Sequence, residues 1–187
     1  QTSNNERYLR LWWETDWVPN SKPESHKWIK YLKGGNYRKW NGNLEYLLFY
    51  NNNPNFILKQ PHARVLPLGM LEMPKITCTM LTSGRPGFRT APVDSFYDIA
   101  AHCCFPDDKK SNYILALLNS SLAATCLSLQ NPTMNMQVSD IASIPYIEAR
   151  PSLENRVSEI TVSLTRESQL DWDSLETSLD FKCHPLL

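Results

Sequence analysis

The side chains best suited to chemistry in this 187-residue chain are cations set among glycines, aromatics and amides. The first group is Lys33-Gly34-Gly35-Asn36-Tyr37-Arg38-Lys39-Trp40. Lys33, Arg38 and Lys39 can neutralise phosphates, Tyr37 and Trp40 offer stacking faces, and an arginine can fork onto a guanine edge. Gly34 and Gly35 would let the backbone come close to a ligand. The second group, Thr82-Ser83-Gly84-Arg85-Pro86-Gly87-Phe88-Arg89, puts Ser83, Arg85 and Arg89 on a turn. Hydroxyls and arginines are common phosphate partners. The third, Asn131-Pro132-Thr133-Met134-Asn135-Met136-Gln137, carries Asn135 and Gln137, amides of the type that reads adenine bidentately. Each group also has a plainer reading: a solvated hairpin over a buried tryptophan, an ordinary turn, and amides bonded to nearby backbone.

No catalytic set stands out. Asn53-Pro54-Asn55 and Asn131-Pro132-Thr133 lack the second proline and the aromatic of an Asn-Pro-Pro-Tyr loop, and no G-x-G fingerprint is present. No Ser-His-Asp grouping can be argued. His26, His62, His102 and His184 are scattered without ligand spacing, so no metal is expected. Cys78, Cys103, Cys104, Cys126 and Cys183 are odd in number and form no C-x-x-C, which reads as reduced thiols in a cytoplasmic protein.

Net charge is zero, yet residues 1–90 hold 13 Lys and Arg against six Asp and Glu, and residues 91–187 reverse those numbers. A basic half can face phosphate while an acidic half faces solvent or a partner. No run reaches the roughly 18 apolar residues of a membrane span, so no membrane partner is expected. Gln1 at one end and Pro185-Leu186-Leu187 at the other read as cuts through a longer protein.

The elements that must position these groups follow from hydrophobic period. Residues 1–18 are dense in Leu, Trp and Tyr, and residues 19–27 are a polar loop. Strands are expected at 28–33, 44–50, 76–81 and 96–105, with Gly34-Gly35 and Asn41-Gly42 as hairpin turns between the first pair. Residues 51–70 read as loop, with room for a short helix. Near Ser111 the period changes to that of a helix. One helix is expected to about Leu129, with Leu115, Leu118, Leu122, Cys126 and Leu129 on one face. A second is expected at about 152–167 with the stripe Leu153, Val157, Ile160 and Leu164. The fold class is therefore α+β: mainly antiparallel or mixed β, with two long helices in the C-terminal half.

Taken in order, the chain resembles the C-terminal part of PglX-type adenine-specific DNA methyltransferases of the BREX phage-defence system, relatives of restriction–modification methylases. The resemblance rests on five stretches: residues 1–14; residues 30–43, with Lys-Gly-Gly-Asn-Tyr-Arg-Lys-Trp; Ile76 to Gly84; Tyr113 to Ile144, with Leu117-Leu118-Asn119-Ser120-Ser121; and Asp171 to Pro185. The chain departs from the family pattern at Thr2-Ser3-Asn4-Asn5, where Thr-Gly-Asp-Asn is usual, and at His102-Cys103-Cys104 before Phe-Pro.

The resemblance implies a DNA target-recognition domain at 1–148. It also implies a C-terminal helix and tail at 149–187 that packs on the same domain or on missing parts of a longer protein. The fragment would carry no catalytic residue and no cofactor. S-adenosylmethionine would sit in a missing upstream methyltransferase domain, and this region would hold double-stranded DNA while adenine is flipped out. Expected partners are that domain, DNA and other defence-system proteins. A docking module working through the acidic half and an RNA-binding domain remain as rivals. One shared basic face for Lys33, Arg38, Lys39, Arg85 and Arg89 would favour nucleic acid.

Overall fold

In the computed structural model, residues 4–18, 27–51, 59, 70–184 and 186 are described. The expectations for residues 19–26 and for most of 51–70 lie outside these. After a short opening helix, α1 (Asn5–Tyr8), two small sheets form the centre. The first holds β1 (Leu9–Leu11), β2 (Trp28–Leu32), β3 (Tyr46–Phe49) and β6 (Ser95–Tyr97) in the order β1-β3-β2-β6. Its pairs are antiparallel except β2 with β6, which is parallel. The second holds β4 (Lys75–Thr79), β5 (Phe88–Ala91) and β7 (Ala101–Cys104) in the antiparallel order β5-β4-β7. The α+β class holds, with the long helices in the C-terminal half.

The middle strand β4 shows why the second sheet is stable. Ile76 and Cys78 point to the helical side and join Phe88, Leu115, Leu118, Leu127 and Met136 in one apolar cluster. Each fully buried side chain of this size is worth about 1.5–3 kcal/mol. The alternate residues, Lys75 and Thr77, are equally buried but polar. Their needs are met locally: the Lys75 ammonium donates to the carbonyls of Leu71 and Val93, and Thr77 Oγ1 donates to His102 O at 3.0 Å. Burial pulls the Lys75 ammonium below its ordinary pKa. The first sheet has its own cluster around Tyr31, Leu48 and Phe96.

Three sequence expectations need correction. The apolar run 96–105 is not one strand: it divides into β6 and β7, which belong to different sheets. Asp98 makes the division, because its backbone N–H donates to Leu32 O and its carbonyl accepts from Ala101 N. The single helix from 111 to 129 is two, α2 (Ser111–Leu118) and α3 (Ser121–Gln130), meeting at a bend of 68°. Ser120 restarts the second helix as its N-cap, with Oγ accepting from Ala123 N at 3.1 Å. The bend turns Leu122 and Leu129 outward, while Ala123 and Leu127 take the buried positions. Residues 33–40 do not form a tight hairpin; the whole stretch between β2 and β3 is one long loop.

After the short α4 (Val138–Ala142), Pro151 at the first turn opens α5 (Pro151–Asp173), longer than its apolar stripe foretold. This helix packs on α2, with Thr161 and Trp172 buried, and its C-terminal part lies on the 38–42 loop, where Ser168 Oγ donates to Lys39 O at 2.9 Å and Trp172 meets Arg38. The expected stripe is not the packed face: Leu153, Ile160 and Leu164 are 50%, 51% and 39% exposed. The tail beyond α5 returns to the start of the chain, where Trp12 Nε1 donates to Thr177 O at 3.1 Å.

Candidate nucleic-acid interface

The three segments singled out by residue type converge. The 33–45 loop is fixed to the second sheet at several points. Trp40, at positive φ, pairs with the edge of β5: its N–H donates to Phe88 O at 2.8 Å, and Thr90 N–H donates back to Trp40 O at 2.9 Å. Thr79 Oγ1 donates to Gly35 O at 3.0 Å. Gly34 and Gly35 both have positive φ, and a Cβ on Gly34 would sit 2.8 Å from Ala100 O. The close approach those glycines allow is to the protein itself, the Ala100 carbonyl at Gly34 and the Asn43 side chain at Gly35, not to an open ligand space.

The 80–87 loop is stitched to the third segment. Met136 N–H donates to Met80 O and Thr82 N–H donates to Met134 O, each at 2.9 Å, and Leu81 bridges Asn135. A Cβ on Gly87 would collide with the Arg38 carbonyl, so this loop also lies directly on the 33–40 segment. Within the third segment, Asn131 Nδ2 donates to Asn135 O and to the Asp140 carboxylate, at 2.9 and 2.6 Å. That bond, followed by one from the Gln137 backbone N–H, holds the Asp140 carboxyl below its usual pKa. His102 joins in through Nε2, 2.9 Å from Met136 O. Between the 82–86 loop, α3 and residues 131–136 lies a cleft of about 390 Å3, with Arg85, Ser128 and Thr133 among its lining.

The candidate cations have different fates. Arg89 is buried and donates to Gly34 O at 3.1 Å and to Thr79 Oγ1. Burial lowers its pKa, and its guanidinium is committed to tying two segments together. It is therefore withdrawn as a phosphate contact. Arg38 forms an ion pair with Asp171 of α5 and lies 4.9 Å from the centre of the Trp172 ring; its side chain is 18% exposed. Lys39 Nζ donates to Asn119 O at 3.0 Å. Lys33 rests over the Tyr46 ring at 4.6 Å. Arg85 and Ser83 are exposed on the loop, as are Tyr37, Asn135 and Gln137. Arg85 makes no ion pair or hydrogen bond to any described residue. Residue-type reasoning missed Asn119, Asp140, Asp171 and Trp172. Asn119 had a sequence signal in the Leu-Leu-Asn-Ser run where the helix breaks, and Asp171 and Trp172 open the last stretch that carries the family resemblance.

No protein-family model matches the chain. An adenine-specific methyltransferase PglX from Lacticaseibacillus casei (strain Zhang) is 29% identical over 203 residues, covering 100% of this chain and 16% of that protein. An adenine-specific methyltransferase BrxX from Escherichia coli O9:H4 (strain HS) is 30% identical over 164 residues, covering 86% of this chain and 13% of that protein. The chain is a relative of the PglX/BrxX adenine-specific methyltransferases. It spans less than a fifth of the length of these PglX and BrxX proteins. Against that family background, the described residues contain no group of three His, Cys, Asp or Glu side chains able to hold a metal ion. No single described helix is long and apolar enough to cross a membrane.

Proposed function

We propose that this chain is the DNA-sequence-recognition part of an S-adenosylmethionine-dependent adenine N6-methyltransferase in a BREX or restriction–modification defence system. By itself it transfers no methyl group; the cofactor and the reacting adenine belong to a methyltransferase domain elsewhere in the protein. The observation that carries this reading is the convergence of the three segments: backbone bonds join Met80 and Thr82 to Met134 and Met136, and Trp40 and the Thr79–Gly35 bond hold the 33–40 segment to the same sheet. Arg85 stands there with exposed Tyr37, Asn135 and Gln137, while Lys33 rests over the Tyr46 ring and Arg89 is buried, so the five candidate cations do not form one basic face. Cations position a protein on phosphate, and Arg, Asn and Gln read base edges.

The test is binding of the full-length protein to duplex DNA across a salt series. Five phosphate contacts would give a slope of about −4.5 in log K against log salt. With Arg89 internal and Arg38 and Lys39 engaged, a shallower slope is expected. Duplex binding without sequence preference, or preference for RNA, overturns the reading.

A docking role has one observation in its favour: the exposed Leu153, Ile160 and Leu164 stripe of α5. It would serve as the contact with the methyltransferase domain or another defence protein, and it does not compete with the loop surface for residues.

A further inference from the structure

Three arginines lie at or under the convergent surface, and the fold leaves one of them uncommitted. Arg89 is buried on Gly34 O and Thr79. Arg38 is paired with Asp171 and stacked on Trp172, and Gly42 lies so close that a Cβ there would be 2.7 Å from Arg38 Nε. Arg85 alone is exposed with no partner among the described residues.

The loop that presents Arg85 is rigid for its length. Its start is tied by Thr82 N–H to Met134 O, and Thr82 Oγ1 accepts from Gly84 N at 3.3 Å. Its end is tied at Phe88, whose N–H donates to the Asn119 side chain at 3.0 Å. Gly87 is pressed on the Arg38 carbonyl. A free guanidinium on a tethered support loses less conformational freedom on binding than one on a floppy loop. The neighbouring cleft is lined by Ser128 and Thr133, whose hydroxyls already donate to Thr125 O and Asn131 Oδ1. Its one carboxylate, Asp140, is already satisfied by Asn131 and the Gln137 N–H, so it leaves Arg85 free rather than clamping it.

Building on the DNA-recognition reading, we propose that Arg85 is the specificity-determining residue of this surface and reads one guanine. Two guanidinium N–H groups reach O6 and N7 of guanine in the major groove, a pattern no other base presents. A well-formed fork of this kind discriminates against a wrong base by roughly 5- to 150-fold. Lysine, a point charge, cannot reproduce it.

The experiment selects sites from a randomised duplex library with the full-length protein, in wild type, Arg85→Lys, Arg85→Ala and Lys33→Ala forms. Affinity for the selected site is then measured across salt. Thermal unfolding of each variant serves as the folding control; no change is expected at exposed Arg85, and only a small one at half-buried Lys33, which gives up its contact with the Tyr46 ring. The wild type should select a guanine at one position that Arg85→Ala and Arg85→Lys no longer require, other positions and the salt slope staying the same. Lys33→Ala should keep the consensus and flatten the slope by about 1. Uniform weakening by Arg85→Ala with a flatter slope would make Arg85 a phosphate contact and overturn the proposal. So would an unchanged consensus. A wild type that selects no consensus removes the DNA-recognition reading itself, a failure distinct from a lost Arg85 assignment.

Discussion

The side chain of Asn119 is bonded to both backbone groups of Phe88: Nδ2 donates to Phe88 O at 2.8 Å, and Oδ1 accepts from Phe88 N at 3.0 Å. An amide is the only common side-chain end that donates and accepts across one residue in this way. It extends β5 by one rung, and it lies at the bend between α2 and α3. The Asn119 carbonyl in turn receives Lys39.

Replacing Asn119 with alanine orphans the buried Phe88 N–H, while Phe88 O keeps its bond from Trp40 N–H. A loss of roughly 1–3 kcal/mol is expected in urea unfolding. Asn119→Asp should be comparably harmful, because a carboxylate cannot donate to Phe88 O. If either variant is within 0.5 kcal/mol of wild type, roughly the spread of an indifferent surface change, the pairing does not hold the bend.

Arg89→Ala should lower stability by about 2–4 kcal/mol through a cavity and an abandoned Gly34 carbonyl. Its salt slope for DNA should equal that of wild type once folding is corrected for. A slope flatter by 1 would return Arg89 to the surface as a phosphate contact.

The two faces of α5 predict opposite outcomes. Trp172→Ala removes a buried ring and the cation–π partner of Arg38, at an expected cost of about 3–5 kcal/mol. Leu153→Ser, Ile160→Ser and Leu164→Ser should each stay within about 0.5 kcal/mol, since these side chains are already in solvent. Chemical denaturation of the four variants checks this.

Thiol reactivity should follow burial. Desolvation pushes Cys78 and Cys103 up to about 12 and Cys104 to about 11, so these thiols stay protonated near neutrality. Exposed Cys183 should label first at pH 8, with Cys78 reacting only when the protein unfolds. Mass spectrometry of timed labelling reads the order.

Acid should loosen the third segment. The Asp140 carboxyl is depressed by Asn131 and the Gln137 N–H. Its contribution is therefore present above the unfolded value of about 3.9 and is lost as pH falls through the lower folded value. The Gln137 amide resonance should report that titration, and Asp140→Asn should abolish it.

The change of period near Ser111 was legible because α2 and α5 announce themselves by helical spacing, and β2, β3 and β4 because their apolar runs end at turn residues; β1 and β5 were not anticipated. The bend at Asn119 was hidden, since Leu115, Leu118 and Leu122 keep helical spacing straight through it; a bond to Phe88, 31 residues away, decides the matter. The buried face of α5 was hidden for a different reason. It uses Thr161 and Trp172, with Ser168 bonded to the backbone of the 39–41 loop, while the conspicuous leucines face outward. At the candidate site the residue types were readable and their convergence was not. The separate fates of Arg38, Arg85 and Arg89 depend on distant partners such as Asp171, which spacing does not reveal.

The division of residues 95–104 between two sheets bears on any attempt to re-engineer specificity. β6 and β7 are three residues apart, yet one completes the sheet that begins with Leu9 and the other the sheet that supports the 80–87 loop. A chimera joined anywhere between them would leave the first sheet whole and the second borrowing its outer strand, β7, from a foreign parent. The surface proposed to recognise DNA also draws on segments about a hundred residues apart. Exchange of target preference between homologues is therefore expected to succeed by grafting loop tips onto an intact scaffold, and to fail by swapping contiguous halves.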